Sequence, residues 1–457
     1  MYYYVAKNGN DNNPGTETSP FLTIQKAANV AVAGCTIYVK AGTYNEKVTI
    51  QKSGSEEKWI TFSAAPGTII DGANISNPID WDGLIVIKNS KFIKVSGFKV
   101  QNSTKSGIVV IGSANGGMKW SHITLENNHT YKTNSSGIQA YGGGDNLIVD
   151  GNDIERAANG GADYWSQECL SVAYDIDIVE VMNNTVHDGT MNGYRGGGEG
   201  IDLKDGISNA LVHHNHVFNI VSVGIYIDAY ARHNYNIQVY NNIVHDINRN
   251  WGQGLTAGCE HGGILENISF YNNIVYHCNY NGFYSELAYN SSTIRNINVV
   301  NNVFFNNGVT SQYLLAGGIY IKPIYGGMSN IRVANNIVSD NYSFQIAIGN
   351  WNTIPGLVVE NNLIYPFRNN TNGQCVETKG INYIEASPLF VDASNADFHL
   401  KSGSPAINSG SSIDAPNFDF DGNHRPIGRG YDIGAYEYGS STCPALTCNF
   451  TIGGGAQ

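Results

Sequence analysis

A lysine among acids, set at matching positions of successive short segments, is the chemistry this sequence offers first. Six segments open on glycine and then alternate: 107–111, 137–141, 200–204, 224–228, 282–286 and 318–322. In a strand, neighbouring side chains point to opposite faces. Residues one and three places after each glycine, mostly Ile, Phe, Leu and Val, therefore turn inward. Those two and four places after it turn outward and make two columns. The first holds Gln139, Asp202, Tyr226, Tyr284 and Tyr320; the second holds Tyr141, Lys204, Asp228, Glu286 and Lys322. Two further stretches belong to this wall but break its register. One carries Trp165 and Glu168, the other Glu260 and His261, and nearby loops supply Tyr230, Arg232 and Trp251.

Three kinds of chemistry suit such a wall. β-Elimination from a uronate needs a base for the proton beside the carboxyl and a cation or acid to stabilise the enediolate. Lys204 is the natural base, but Asp202, Asp205 and Asp228 would by themselves raise its pKa, the wrong direction. Ca²⁺ held by those three aspartates would cancel their charge and grip a substrate carboxylate. Glycoside hydrolysis instead needs two carboxyl groups, about 5–5.5 Å apart for retention or about 6.5–9.5 Å for inversion. Asp202 with Asp228, or Glu260 with Glu286, would serve. In either case Trp165, Glu168, Tyr226, Tyr230, Arg232, Trp251, His261, Tyr284, Tyr320 and Lys322 are the candidate contacts to sugar, since aromatic faces stack on pyranose C–H groups and acids bind hydroxyls. The plainer reading is a ladder of exposed ion pairs between Lys204, Asp228, Glu286 and Lys322, each worth under about 1 kcal/mol. A third class is non-catalytic: a glycan-binding, adhesive or filament-forming rod.

The elements that must align these residues are written in the asparagines. Asn128, Asn152, Asn184, Asn215, Asn242, Asn273, Asn302, Asn336 and Asn362 recur at gaps of 24, 32, 31, 27, 31, 29, 34 and 26 residues. Each sits in a similar phrase such as VYNNIV or FYNNIV. A period of this size with one strand pattern per repeat predicts a solenoid, here a single-stranded right-handed parallel β-helix. Asparagine tolerates the left-handed conformation of a sharp corner, and its amide can bond the equivalent amide one coil away. These residues are expected to shape the corner and do no catalysis. The HHNH run ending at His216 invites a metal reading, but adjacent strand residues are expected to face apart.

Composition agrees. Over 457 residues the 53 glycines and 28 tyrosines, against 14% charged residues, suit a β-rich extracellular protein. A net charge of -12 argues against nucleic acid and, without bound cations, against polyanionic glycans. No run is long enough to span a membrane, and the abrupt strand-like start at MYYYVAKNG suggests a mature or trimmed secreted form. Residues 1–440 read as one domain: 1–50 a cap and first coil, 87–375 the regular coils, 376–440 an irregular C-terminal cap. A short helix over 23–33 with Thr23 as N-cap would close the first coil. Five scattered cysteines are expected to pack as small apolar residues, while Cys443 and Cys448 make the best disulfide pair. The tail 441–457 is a linker, or a strand able to complete another copy's sheet edge.

The opening YYVAKNGNDNNPGTETSPFLTIQKAA with AGCTIYVKAGTYNEKV, and the closing SPLFVDASNADFHLKSGSPAINSG with DIGAYEY, resemble the two ends of secreted β-helix proteins of the pectate-lyase-like superfamily. The resemblance implies that fold, an extracellular location and action on a polysaccharide, with a family-nine-type lyase ahead of a hydrolase. Family-nine lyases set an aspartate cluster for calcium beside a lysine. Those motifs are not matched cleanly here, so the resemblance carries no residue assignment.

Overall fold

The computed structural model describes residues 1–75, 82–112, 119–160, 168–190, 197–249, 251–308, 315–370 and 373–439. The chain winds as a parallel β-solenoid of three sheets with 13, 12 and 13 strands, each strand pairing in parallel with the equivalent one a coil away except Cys375–Glu377, which closes the 12-stranded sheet antiparallel. One coil shows the pattern. Ile201–Lys204 lies in the 12-stranded second sheet, Ile207–His213 in the first and His216–Ile220 in the third, and Val223–Ala229 then returns to the second. Inward residues of all three sheets form one apolar column from Val5 to Ile364. Sequence distance is thereby converted into adjacency: residues about one coil apart in the chain become neighbours.

The asparagine ladder forms at the corner between the first and third sheets. Asn128 donates its side-chain amide to Asn152 Oδ1 at 3.0 Å, Asn152 to Asn184 at 2.9 Å, and so on through Asn336 to Asn362 at 3.0 Å. Each rung is buried and also donates to a backbone carbonyl, as Asn273 does to Val239 O at 2.8 Å. The expectation that these asparagines take the left-handed turn is corrected. The residue before each rung takes it: Asn127, Gly151, Asn183, His214, Asn241, Asn272, Asn301, Asn335 and Asn361 all have φ between +51° and +63°. The corner divides its work, one residue turning the chain and the next bonding along the rod.

Helix Ile24–Val30 buries Ile24, Ala27 and Ala28, and the Thr23 side chain accepts from Lys26 N at 3.1 Å. It is shorter than 23–33 because Ala31 leaves the helical region with ψ 140°. The irregular C-terminal segment lies along the rod's flank. Outward residues of the third sheet change from Lys99, His129 and Thr185 in early coils to Ile274, Val303, Ile337 and Leu363 in late ones. Phe390, Phe398, Phe420, Ile433 and Ala435 cover that apolar strip. Cys35, Cys169, Cys259, Cys278 and Cys375 are buried free thiols, whereas Cys443, Cys448 and the tail lie outside the described residues. Among the described residues no helix is long and apolar enough to cross a membrane.

Candidate active site

The second sheet delivers both columns in register. Gln139, Ser171, Asp202, Tyr226, Thr256, Tyr284 and Tyr320 pair in succession, as do Tyr141, Ala173, Lys204, Asp228, Gly258, Glu286 and Lys322. The two stretches expected to break register do not. Leu170–Ala173 and Gln253–Cys259 are ordinary rungs that place Ser171, Ala173, Thr256 and Gly258 in the columns. Gly254 leads its strand as the other glycines do, and that signal was readable in the sequence. Small rungs on either side of the Asp202–Lys204 and Tyr226–Asp228 strands leave room for large side chains to lean across. The Tyr226 ring does so over Gly258, bringing its hydroxyl 3.4 Å from Glu260 Oε1.

At the centre the Lys204 Nζ lies 3.0 Å from Asp228 Oδ2 and 3.6 Å from both Asp202 Oδ2 and Glu168 Oε1. The Lys204 side chain is 28% exposed, while Asp202 and Asp228 are at 0% and 1%. Burial pulls the lysine pKa down, but the charges of Asp202, Asp228, Glu168 and Glu199 outweigh it and hold the group well above its ordinary value. Burial pushes the carboxyls the other way. Asp228 is raised to about 6 despite Lys204, Glu199 to about 7 with help from Glu168, and Asp202 well above the usual carboxylate range. Among the described residues neither Asp202 oxygen has a hydrogen-bond partner, and neither do Asp228 Oδ1 and Glu199 Oε2. Glu199 was not singled out from the sequence. It precedes its lead glycine as Glu168 precedes Cys169, and the two coils bond there, Cys169 N to Glu199 O at 2.7 Å.

The calcium set does not assemble. Asp205 points to the 230–232 turn, where its Oδ1 accepts from Ala231 N and Arg232 N at 2.6 and 2.7 Å. The ammonium of Lys204 takes the place a cation would need between Asp202 and Asp228. Among the described residues no three His, Cys, Asp or Glu side chains are arranged to hold an ion. Asp202, Asp205 and Asp228 therefore do not fit calcium as a set, and no step of the chemistry is routed through it.

The other candidates separate into groups. Tyr230, 38% exposed, packs against His261 at 4.3 Å between ring centroids, and His261 against Tyr289 at 4.1 Å. This aromatic shelf follows the strands bearing Asp228, Gly258 and Glu286, with Glu260 beside it; Tyr289 was missed because it stands outside the alternation. Trp251, 42% exposed and stacked on Arg249 at 4.5 Å, precedes its strand and so marks the opposite edge. Arg232 pairs with Asp175 and lies 5.3 Å from the Tyr174 ring. Tyr284 and Tyr320 point outward but are buried: they pack with Phe344, Ala347 and Cys375 in a small apolar cluster, 7% and 0% exposed. Glu286 accepts from the Tyr284 hydroxyl and pairs with Lys322 at 2.8 Å, with Lys322 over the Trp351 ring. At that end the ion-pair reading holds, and Glu286 stands apart from the Lys204 cluster. Trp165 lies outside the described residues. His213 and His214 do converge, Nδ1 to Nδ1 at 2.7 Å, because left-handed His214 defeats the strand alternation that was expected to separate them.

Residues 3–162 match the Pel9A-like, right-handed beta helix region. The uncharacterized protein YwoF of Bacillus subtilis (strain 168) is 27% identical over 467 residues, 89% of this chain and 92% of its own length. Pectate lyase PEL9 of Emericella nidulans is 30% identical over 159 residues, 32% of this chain and 37% of that protein. Among solved structures, the complex of XylC with xylose superposes with a TM-score of 0.60 at 14% identity, over 96% of this chain and 99% of that one. The match over residues 3–162, the similarity to PEL9 and the parallel β-helix fold along the rod support a pectate-lyase-like right-handed β-helix protein.

Proposed function

We propose that the protein cleaves glycosidic bonds of a polysaccharide or oligosaccharide by hydrolysis, with Asp202 as proton donor and Asp228 as its ionised partner. A polymeric substrate would put this work outside the cell. The observation that carries the reading is the ring of Glu168, Asp202 and Asp228 around Lys204, all within 3.6 Å of its ammonium. A lysine so enclosed stays charged and is a poor general base. It is well placed to keep Asp228 ionised while Asp202 keeps its proton, and divergent carboxyl pKa values are what acid and base roles require. Sugar-acting relatives, PEL9 by its name and XylC by its bound xylose, support the substrate class.

A second reading, β-elimination, is favoured by the family match. That match ends at residue 162, before Glu168, the first described member of the cluster. One assay separates the two. Acidic and neutral glycans are incubated with the protein, with and without chelator, while ultraviolet absorbance of unsaturated uronate and new reducing ends are both recorded. Reducing ends without absorbance are expected, unaffected by chelator; absorbance rising with bond cleavage overturns hydrolysis in favour of the lyase, and neither signal on any glycan removes the enzyme reading.

A further inference from the structure

A second groove lies on the first sheet. It has a volume of about 510 Å³ and runs between Tyr240, Tyr271 and Asn298 on the rod and residues 414–418 of the C-terminal segment. That size is within the range of small-ligand sites, about 300–1,000 Å³. In the outward column here His213, Tyr240, Tyr271, Val300 and Ala334 pair in succession. The rings of His213 and Tyr240 stack at 4.7 Å and 14°, and those of Tyr240 and Tyr271 at 4.8 Å and 3°. The stack ends at Tyr271, because Val300 and Ala334 carry no ring to continue it. Tyr271 lines the groove, and at the next coil Val300, itself only 2% exposed, stands where a further ring would have lain.

The opposite wall is held in place. Asn272 Nδ2 donates to Phe418 O at 2.7 Å, and Asn335 exchanges two bonds of 2.8 Å with Ser411. Arg332 Nε meets Asp414 Oδ2 at 3.2 Å. A wall fixed before binding spares a ligand the ordering of loose chain. The lining is also chemically selective. Gln238, whose Oε1 accepts from the Tyr271 hydroxyl at 2.8 Å, Ser269 and Asn298 offer hydroxyl and amide groups. Among the described residues Asp414 is the only charged one lining the groove, and no lysine or arginine lines it to attract a carboxylate.

We infer that this groove is a second, non-catalytic saccharide site that takes a neutral oligosaccharide, one pyranose ring lying in the groove beside Tyr271. It deepens the proposed action on carbohydrate but does not depend on which bond the enzyme breaks. It would hold a polymer on one sheet while the chain is processed on another.

The test is direct binding of neutral and uronic-acid hexasaccharides to the full-length protein by isothermal titration calorimetry, comparing wild type with Tyr271→Ala and Val300→Tyr. The first variant removes the aromatic ring that lines the groove, and the second crowds the groove from the Val300 position while lengthening the stack. The two changes thus strain the fold in opposite ways, and circular dichroism checks that each variant is folded. Each is expected to weaken neutral-sugar binding by about tenfold or more, the scale of losing one aromatic stack and its buried area. Turnover of short soluble substrates should stay at the wild-type level. Unchanged affinity in both folded variants, or binding confined to uronic-acid sugars, overturns the site. Binding that vanishes in Asp228→Asn but survives in Tyr271→Ala assigns the sugar to the Lys204 cleft and likewise overturns it. An absence of catalysis with Tyr271-dependent binding would defeat the hydrolase reading alone.

Discussion

Lys204 Nζ and Asp228 Oδ2 meet at 3.0 Å although 24 residues separate them in the chain, because the two occupy the same column on successive strands of the second sheet. The contact fixes the charge of both partners. Removing the lysine leaves buried carboxyls without a counter-charge. Lys204→Met should lower unfolding free energy by about 3–5 kcal/mol at mildly alkaline pH, the scale of a broken buried pair. The loss should shrink in acid, where the carboxyls take up protons. Urea unfolding at two pH values measures both.

The pH behaviour has a definite sign. Raised carboxyl pKa values mean that the folded protein binds more protons than the unfolded one. The stability they contribute is fully present below the unfolded carboxylate pKa, near 4, and is lost as pH rises through about 6 for Asp228 and about 7 for Glu199. Asp202→Asn should therefore raise the melting temperature at neutral and alkaline pH, because burial holds the Asp202 carboxyl well above its ordinary range. The same change should reduce cleavage by about 10²–10⁴-fold, as loss of a general acid does. Wild-type activity should show an acid limb near pH 6, where Asp228 protonates.

Gly258→Ala tests the leaning tyrosine. The new methyl would lie 2.7 Å from Tyr226 Cε2 and 2.9 Å from Cζ, so the ring must swing off Glu260. A stability loss of about 1–3 kcal/mol is expected for overpacking. If Tyr226 helps seat substrate beside Glu260, KM should rise more than kcat falls; an unchanged KM removes Tyr226 from the site.

The corner ladder makes a stability prediction. Asn273 Oδ1 accepts from Asn242 N and Nδ2 at 3.1 and 3.0 Å, and its amide donates to Asn302 Oδ1 and Val239 O. Asn273→Ala abandons all four bonds in a buried corner. At about 1–3 kcal/mol for each buried group left unsatisfied, the cost should be at least about 3 kcal/mol. Asn273→Asp keeps the acceptor and loses the donor, and a milder effect in acid than at neutral pH is its signature. A chemical-denaturation series reads both.

The legible part of the sequence is the part that repeats. The asparagine period and the glycine-led alternation are local patterns imposed by the same packing in every coil, so the fold and the two columns could be read directly. Gly258 and Ser171 hid because small residues carry no chemical signal of their own, although they set the space around Asp228 and Asp202. Glu199 hid because its position before the lead glycine is otherwise filled by unrelated residues such as Ser106, Val223 and Asn281. Tyr284 and Tyr320 misled for the opposite reason. Their strand position is outward, but only tertiary structure reveals that Phe344 and Cys375 cover it. Alternation gives direction; it does not give exposure.

Of the twelve strands in the second sheet, the one carrying Lys204 is sixth from the amino-terminal end and the one carrying Asp228 sixth from the other. Fraying in a stacked rod begins at its tips and must consume whole layers before reaching the middle. The proposed chemistry is thus housed where the molecule should be last to loosen. Trimming either extremity by proteolysis or heat should blunt the rod well before it silences the reaction.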